Sequence, residues 1–191
     1  MRARDNPFAA QRILRLRYRL SGTTWEEVLE RLAVLEHRAA VVGPHGRGKT
    51  TFLEDLRDRL EDRGFRTRSV VLHRGDRRLT PLQEESLFRG LSREDILLLD
   101  GAEQLGRLAW LRVRRRSRAA GGLVVTSHQP GLLPTLFDCR TTPDLLDSIV
   151  RDLLGPEAET LSPTSEELFA RHGGNLRSAL RELYDFYAAR F

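Results

Sequence analysis

The sequence predicts an α/β fold: a parallel five-stranded sheet flanked by helices, with a small C-terminal helical lid. Three observations predict it. Short apolar runs that read as strands alternate with segments of helical periodicity, the pattern of parallel strands joined by helical crossovers. A glycine-rich segment, Gly43-Pro44-His45-Gly46-Arg47-Gly48-Lys49-Thr50, lies between an apolar run and an amphipathic one. From Pro143 onward the pattern is helical alone.

Residues 1–22 read as irregular, with a turn-like Asn6-Pro7-Phe8. Thr24 opens a helix, because Glu27 three residues on completes a capping box. Trp25, Val28, Leu29, Leu32 and Leu35 follow at helical spacing. Ala39 to Val42 reads as a buried strand. Thr50 to Arg63 is a helix with Phe52, Leu53, Leu56 and Leu60 on one face and Gly64 as its C-cap. Arg68 to Leu72 is the second strand, and Pro81 to Gly90 a short helix or loop. Asp95 to Leu99 is a third strand ending in Asp100. Glu103 to Arg118 reads as a helix that turns strongly basic. Leu123 to Thr126 is the fourth strand and Leu136 to Arg140 the fifth, with Cys139 as a small buried hydrophobe within it. Pro143 to Leu154 starts with proline and ends at Gly155, as helices prefer. A capping box, Thr164 with Glu167, starts a short helix. Asn175 to Arg190 forms the last. The expected division is 1–142 for the core and 143–191 for the lid.

Composition narrows the class. With 191 residues, 40% hydrophobic and 31% charged, the chain fits a globular protein of one core and a small appendage. No apolar run approaches a membrane span, and the Arg-rich N-terminus lacks the apolar stretch of a secretory signal. The one cysteine excludes an internal disulfide, so a cytoplasmic setting is expected. The net charge of +5 permits contact with nucleic acid without requiring it. Among 32 Lys plus Arg only Lys49 is lysine, and it sits in the glycine-rich segment. A phosphate-binding loop needs a compact ammonium on a flexible stem there.

That segment matches G-x-x-x-x-G-K-[ST], with a strand before it and a helix after it. Glycines let the backbone wrap phosphates, and the N–H groups and the positive helix end face the anion. The expected binding residues are Gly43, Pro44, His45, Gly46, Arg47, Gly48, Lys49, Thr50 and Thr51. Lys49 would reach the β- and γ-phosphates of ATP, and the Thr50 hydroxyl would bind Mg²⁺. His45 and Arg47 occupy unrestricted positions and read as exposed loop residues. Asp100, at the C-terminal end of an apolar strand, would hold Mg²⁺ as well.

On these residues the chain resembles P-loop ATPases of the AAA+ and STAND groups. Many AAA+ members place a glutamate directly after the strand-end aspartate, whereas this chain has Gly101. Asp100-Gly101-Ala102-Glu103 looks more like the D-G-x-[DE] of STAND and NACHT proteins. The resemblance makes Glu103 the candidate for orienting water; a helix-start acid favoured by the dipole is the other reading. It also makes Thr126, Ser127 and His128 sensor 1 candidates. Gly174-Asn175-Leu176-Arg177 is similar to the G-N-x-R of AAA+ lids, which makes Arg177 a sensor 2 candidate. Ring-forming motors carry an arginine finger between the fourth and fifth strands. Here that interval, about Gln129 to Thr135, holds Pro130, Gly131 and Pro134 and no Arg. A monomeric or dimeric switch fits that better than a hexameric motor.

Arg112, Arg114, Arg115, Arg116 and Arg118 form a cationic stretch. It reads either as a contact for nucleic acid or an acidic partner, or as a solvated helix end. The functional expectation is an ATPase with ATP and Mg²⁺, switching on an unknown protein partner, with nucleic acid as the other partner class. Two alternatives stay open. One is a P-loop kinase for a small molecule or nucleic acid, hinted at by Asp76, Arg77 and Arg78. The other is a non-hydrolysing nucleotide-binding module, which Gly101 keeps in play.

Overall fold

A computed structural model describes residues 6–190. The chain forms two compact units. One, the sheet unit, comprises Leu20–Gly43 and Phe52–Asp138. The other, the helical unit, comprises the residues up to Arg19, Pro44–Thr51, and Cys139 onward. The division therefore falls inside the glycine-rich segment.

In chain order the elements are α1 (Ala10–Ile13), α2 (Trp25–Val34), β1 (Arg38–Val42), α3 (Lys49–Asp62), β2 (Arg66–Val71), α4 (Pro81–Phe88), β3 (Asp95–Asp100), α5 (Arg107–Arg116), β4 (Gly122–Ser127), β5 (Thr135–Asp138), α6 (Pro143–Leu154), α7 (Ser165–Arg171) and α8 (Leu176–Arg190). The five strands form one all-parallel sheet in the order β2-β3-β4-β1-β5, flanked by helices. The strand that leads to the loop and the strand that ends in Asp100 are thus separated by β4. Register aligns Val42 with Ser127 and Leu99 with Val125, so β1, β3 and β4 end side by side.

Burial follows the apolar runs. Ala39, Ala40, Val41, Val124 and Val125 are fully buried, as central strands of a covered sheet require. At the far edge Asp95 is buried and ties β2 to β3. It accepts from Ser92 N–H at 2.6 Å, Ser92 Oγ at 2.9 Å and Arg68 Nε at 3.0 Å. Trp25, Phe52 and Phe137 stack in sequence, with centroids 4.9 and 4.8 Å apart, joining α2 and α3 to β5.

The helical unit has its own core of Phe8, Leu146, Val150, Leu168, Leu176, Ala179, Leu180, Leu183 and Tyr187. Capping is local and strong. The boxes at Thr24–Glu27 and Thr164–Glu167 both form, and Thr80–Gln83 adds a third. Each such cap is worth about 1 kcal/mol.

Four expectations change. The N-terminal segment contains α1, and Phe8 is buried against Tyr187 at 5.5 Å, because Asn6 Nδ2 donates to Tyr184 O at 2.9 Å. Residues 1–5 of that segment lie outside the described residues. The helix expected over Glu103–Arg118 starts at Arg107; Ala102–Gln104 is a separate 3-10 turn, because Gly101 ends β3 in a left-handed conformation at φ 83°. The fifth strand stops at Asp138, which leaves Cys139, still fully buried, and Arg140 beyond it. The fourth strand runs to Ser127, one residue further than the apolar run, and Ser127 is buried.

Candidate functional site

The glycine-rich loop leaves β1 at Gly43, whose N–H donates to Ser127 O at 3.2 Å. This fixes the start of the loop beside the end of β4. Lys49, Thr50 and Thr51 then open α3, so their N–H groups lie in the first turn, where the helix itself supplies no carbonyl partner. Within the loop, Lys49 Nζ donates to Pro44 O at 2.9 Å. The only lysine is thus folded onto the loop it serves.

Within the helical unit, the turn before α8 is bonded to this loop. Leu176 N–H donates to Gly46 O at 3.1 Å, which joins the first residue of α8 to the loop. Arg47 Nη1 donates to Thr141 Oγ1 at 2.8 Å and its Nη2 to Gly173 O at 3.0 Å. Thr141 Oγ1 in turn donates to Gly174 O at 2.8 Å. Arg47 is therefore a clamp, not the exposed loop residue its unrestricted position suggests; His45 is exposed. Tyr18 lies against the loop as well, 3.0 Å from where a Cβ on Gly48 would stand. Arg177 is exposed on the first turn of α8.

In the sheet unit a second cluster lies past the ends of β3 and β4. Thr126, fully buried, donates its hydroxyl to Asp100 Oδ1 and accepts from Gly101 N–H at 2.8 Å. That hydroxyl fixes the rotamer of Asp100. Ser127 Oγ donates to Gln129 O at 2.7 Å and so shapes the turn after β4. His128 Nε2 lies 3.1 Å from Glu103 Oε1, and Gln104 Nε2 is 3.4 Å from the same oxygen. Glu103 Oε2 is buried and, among the described residues, has no hydrogen-bond partner. A buried carboxylate oxygen without a donor costs on the order of 1–3 kcal/mol, so it marks a position that takes a donor.

Gly101 explains why the acid stands at 103. A Cβ on Gly101 would lie 2.7 Å from the Leu72 carbonyl oxygen, in a left-handed backbone. No side chain fits there, and the next acid comes round on the 3-10 turn to meet His128.

The donor set fits a nucleotide and a hard cation by its chemistry. The loop supplies backbone N–H groups, a helix start and one ammonium for phosphates. The Thr50 hydroxyl in the helical unit and the Asp100 carboxylate in the sheet unit are each hard oxygen donors of the kind Mg²⁺ takes. Among the described residues, no group of three or more His, Cys, Asp and Glu is placed to hold a metal by itself. The five arginines from Arg112 to Arg118 are all exposed, and Arg116 pairs with Glu84 at 2.7 Å and covers the Phe88 ring. The β4–β5 connection, residues 128–134, contains no helix.

Sequence reasoning missed Tyr18 and Thr141. Neither belongs to a motif, and only the fold brings them to the loop. It singled out His128 and Glu103 separately, and their pairing follows from the adjacency of β3 and β4.

No protein-family model and no curated protein matches the chain. Solved structures do. RuvB of Thermotoga maritima, described as a Holliday junction branch migration motor, matches with a TM-score of 0.53 at 17% identity over 84% of this chain and 60% of that one. Its R170A variant matches with a TM-score of 0.55 at 18% identity, with the same coverage. NtrX of Brucella abortus, solved in complex with ATP, matches with a TM-score of 0.56 at 16% identity over 91% of this chain and 51% of that one. The chain thus spans 60% and 51% of the lengths of these structures. Among the described residues, no helix is long and apolar enough to cross a membrane. Together, the likeness and the all-parallel sheet identify the fold as that of the P-loop NTPases.

Proposed function

We propose that the chain binds ATP with Mg²⁺ through Gly43–Thr51 and Asp100 and hydrolyses it, acting as an AAA+/STAND-like switch on a macromolecular partner. The observation that carries this reading is the clamp on the phosphate loop. Two hydrogen bonds, Arg47 to Gly173 O and Leu176 N–H to Gly46 O, join the loop to the Gly173–Leu176 turn, and Thr141 bridges Arg47 to Gly174, so a change at the loop reaches α8 directly. The likeness to NtrX, solved with ATP, supports ATP as the nucleotide.

In this reading Lys49 leaves the Pro44 carbonyl for the phosphates, and Thr50 and Asp100 would hold Mg²⁺, which would supply charge neutralisation for the phosphates. Thr126 keeps Asp100 in place, Ser127 shapes the sensor turn, Glu103 orients the attacking water, and Arg177 turns toward the phosphates from α8. The partner is a protein; the exposed Arg112–Arg118 stretch makes nucleic acid the other class. Salt-dependent duplex binding, compared between wild type and an Arg112, Arg114 and Arg115→Gln variant, separates the two.

Gly101 favours a second reading, a module that binds nucleotide without turnover. Phosphate release by wild type and Glu103→Gln, without any acceptor, decides between them. The first reading expects release by wild type and a loss of at least ~10²-fold in the variant. Tight ATP binding with no release by wild type would establish the second.

A further inference from the structure

The Glu103–His128 pair carries an inference that rests on, and sharpens, the hydrolytic reading. The pair is one-sided. Both neighbouring donors, His128 Nε2 at 3.1 Å and Gln104 Nε2 at 3.4 Å, meet Glu103 Oε1. Neither meets Oε2, which is buried and, among the described residues, without a partner. Side-chain exposure is 22% for Glu103 and 28% for His128, so the pair is shielded but reachable. Both residues follow strands that end side by side: Glu103 lies three residues after the end of β3, and His128 directly follows β4. Gly43, where the phosphate loop begins, is held by the carbonyl of Ser127, next to His128.

An ionised carboxylate only accepts hydrogen bonds, so the proton of this contact sits on His128 Nε2. A donor fixed on one oxygen sets the plane of the carboxylate and directs the other oxygen. We propose that His128 is a positioning residue. It holds Glu103 by Oε1 so that Oε2 takes the proton of the water that attacks the γ-phosphate. In that step Glu103 Oε2 accepts a proton from water. The water oxygen bonds to phosphorus, the bond from phosphorus to the β,γ-bridging oxygen breaks, and ADP leaves with that electron pair. The proton on Glu103 is then returned to solvent. His128 keeps its own proton throughout and acts only through Glu103. This separates it from a sensor that touches phosphate itself and from a general base.

The test compares wild type, His128→Ala, His128→Gln, Glu103→Gln and the Glu103→Gln/His128→Ala double variant. Each is measured for ATP affinity by calorimetry, for steady-state phosphate release and for thermal unfolding. Gln at 128 retains an N–H donor near the place of Nε2. The expected result is a fall in kcat on the order of 10–100-fold for His128→Ala, the usual effect of losing an orienting partner. ATP affinity and KM should stay within about twofold, and His128→Gln should recover most of the rate. In the double variant the loss should equal that of Glu103→Gln alone, because residues acting as one unit are not additive. An unchanged or raised kcat in His128→Ala, a multiplicative loss in the double variant, or a parallel loss of ATP affinity would overturn the proposal. If wild type binds ATP but releases no phosphate, the proposal and hydrolysis fall while nucleotide binding stands. If wild type binds no ATP, the functional reading itself fails. Should His128→Ala not fold, His128→Gln against His128→Leu gives the same comparison.

Discussion

Asn175 stands where a side chain on Gly46 would have to go: a Cβ built on Gly46 lies 1.8 Å from Asn175 Oδ1. Asn175 is itself committed, since its Oδ1 accepts from Ser178 N–H at 3.0 Å and caps α8. The loop motif leaves position 46 unrestricted, so the glycine here answers to its left-handed backbone at φ 70° and to Asn175. Gly46→Ala is expected to destabilise by about 1–3 kcal/mol, the usual cost of overpacking. Thermal unfolding measures it. In an Asn175→Ala background the same change should cost clearly less, because the obstructing atom is gone. Equal costs in both backgrounds would show that the contact is not the cause.

The left-handed turn at Gly101 leads to a second expectation. A glutamate directly after the strand-end aspartate would create the pattern common among AAA+ proteins, but here the Leu72 carbonyl blocks its Cβ. Gly101→Glu is expected to lose stability, by more than about 2 kcal/mol from strain and collision together, and to add no phosphate release. Chemical denaturation and a release assay check both. A stable, faster variant would mean that β3 can end differently.

Much of this was legible in the chain, and the part that was not has a physical reason. Capping boxes, helix starts at proline, and apolar runs are local signals, so Thr24, Thr164, Pro143 and the β3 run predicted their elements closely. The segment after Asp100 misled because Leu105, Leu108 and Leu111 continue a helical rhythm. Leu105 and Gly106 are extended and break that rhythm, so α5 starts only at Arg107. Arg47, Thr141 and Asn175 meet through the fold alone, as do Glu103 and His128. Spacing contains no trace of such pairs.

Asp95 sets an acid limit. Burial works against its charge, but the Ser92 N–H and hydroxyl and the Arg68 guanidinium outweigh it and hold the carboxyl below its ordinary range. A carboxyl with a lowered folded pKa contributes stability that is fully present above its unfolded value of about 3.9. That stability is lost as the pH falls through the folded value. At pH 7, Asp95→Asn is expected to cost about 3 kcal/mol, the low end for breaking a buried ion pair. The gap to wild type should narrow steadily below about pH 3.9. Urea midpoints across pH measure it, and a gap independent of pH would remove the charge from the explanation.

The phosphate loop is the centre of the account, and Lys49 is its most direct probe. Calorimetric titration of ATP with Mg²⁺ into wild type and Lys49→Ala, with circular dichroism as a check on folding, decides the matter. The account predicts saturable binding by wild type and at least a ~10-fold weaker affinity in the folded variant, a loss of about 1.4 kcal/mol or more. Equal affinity in the two proteins, or no binding by wild type, would contradict it.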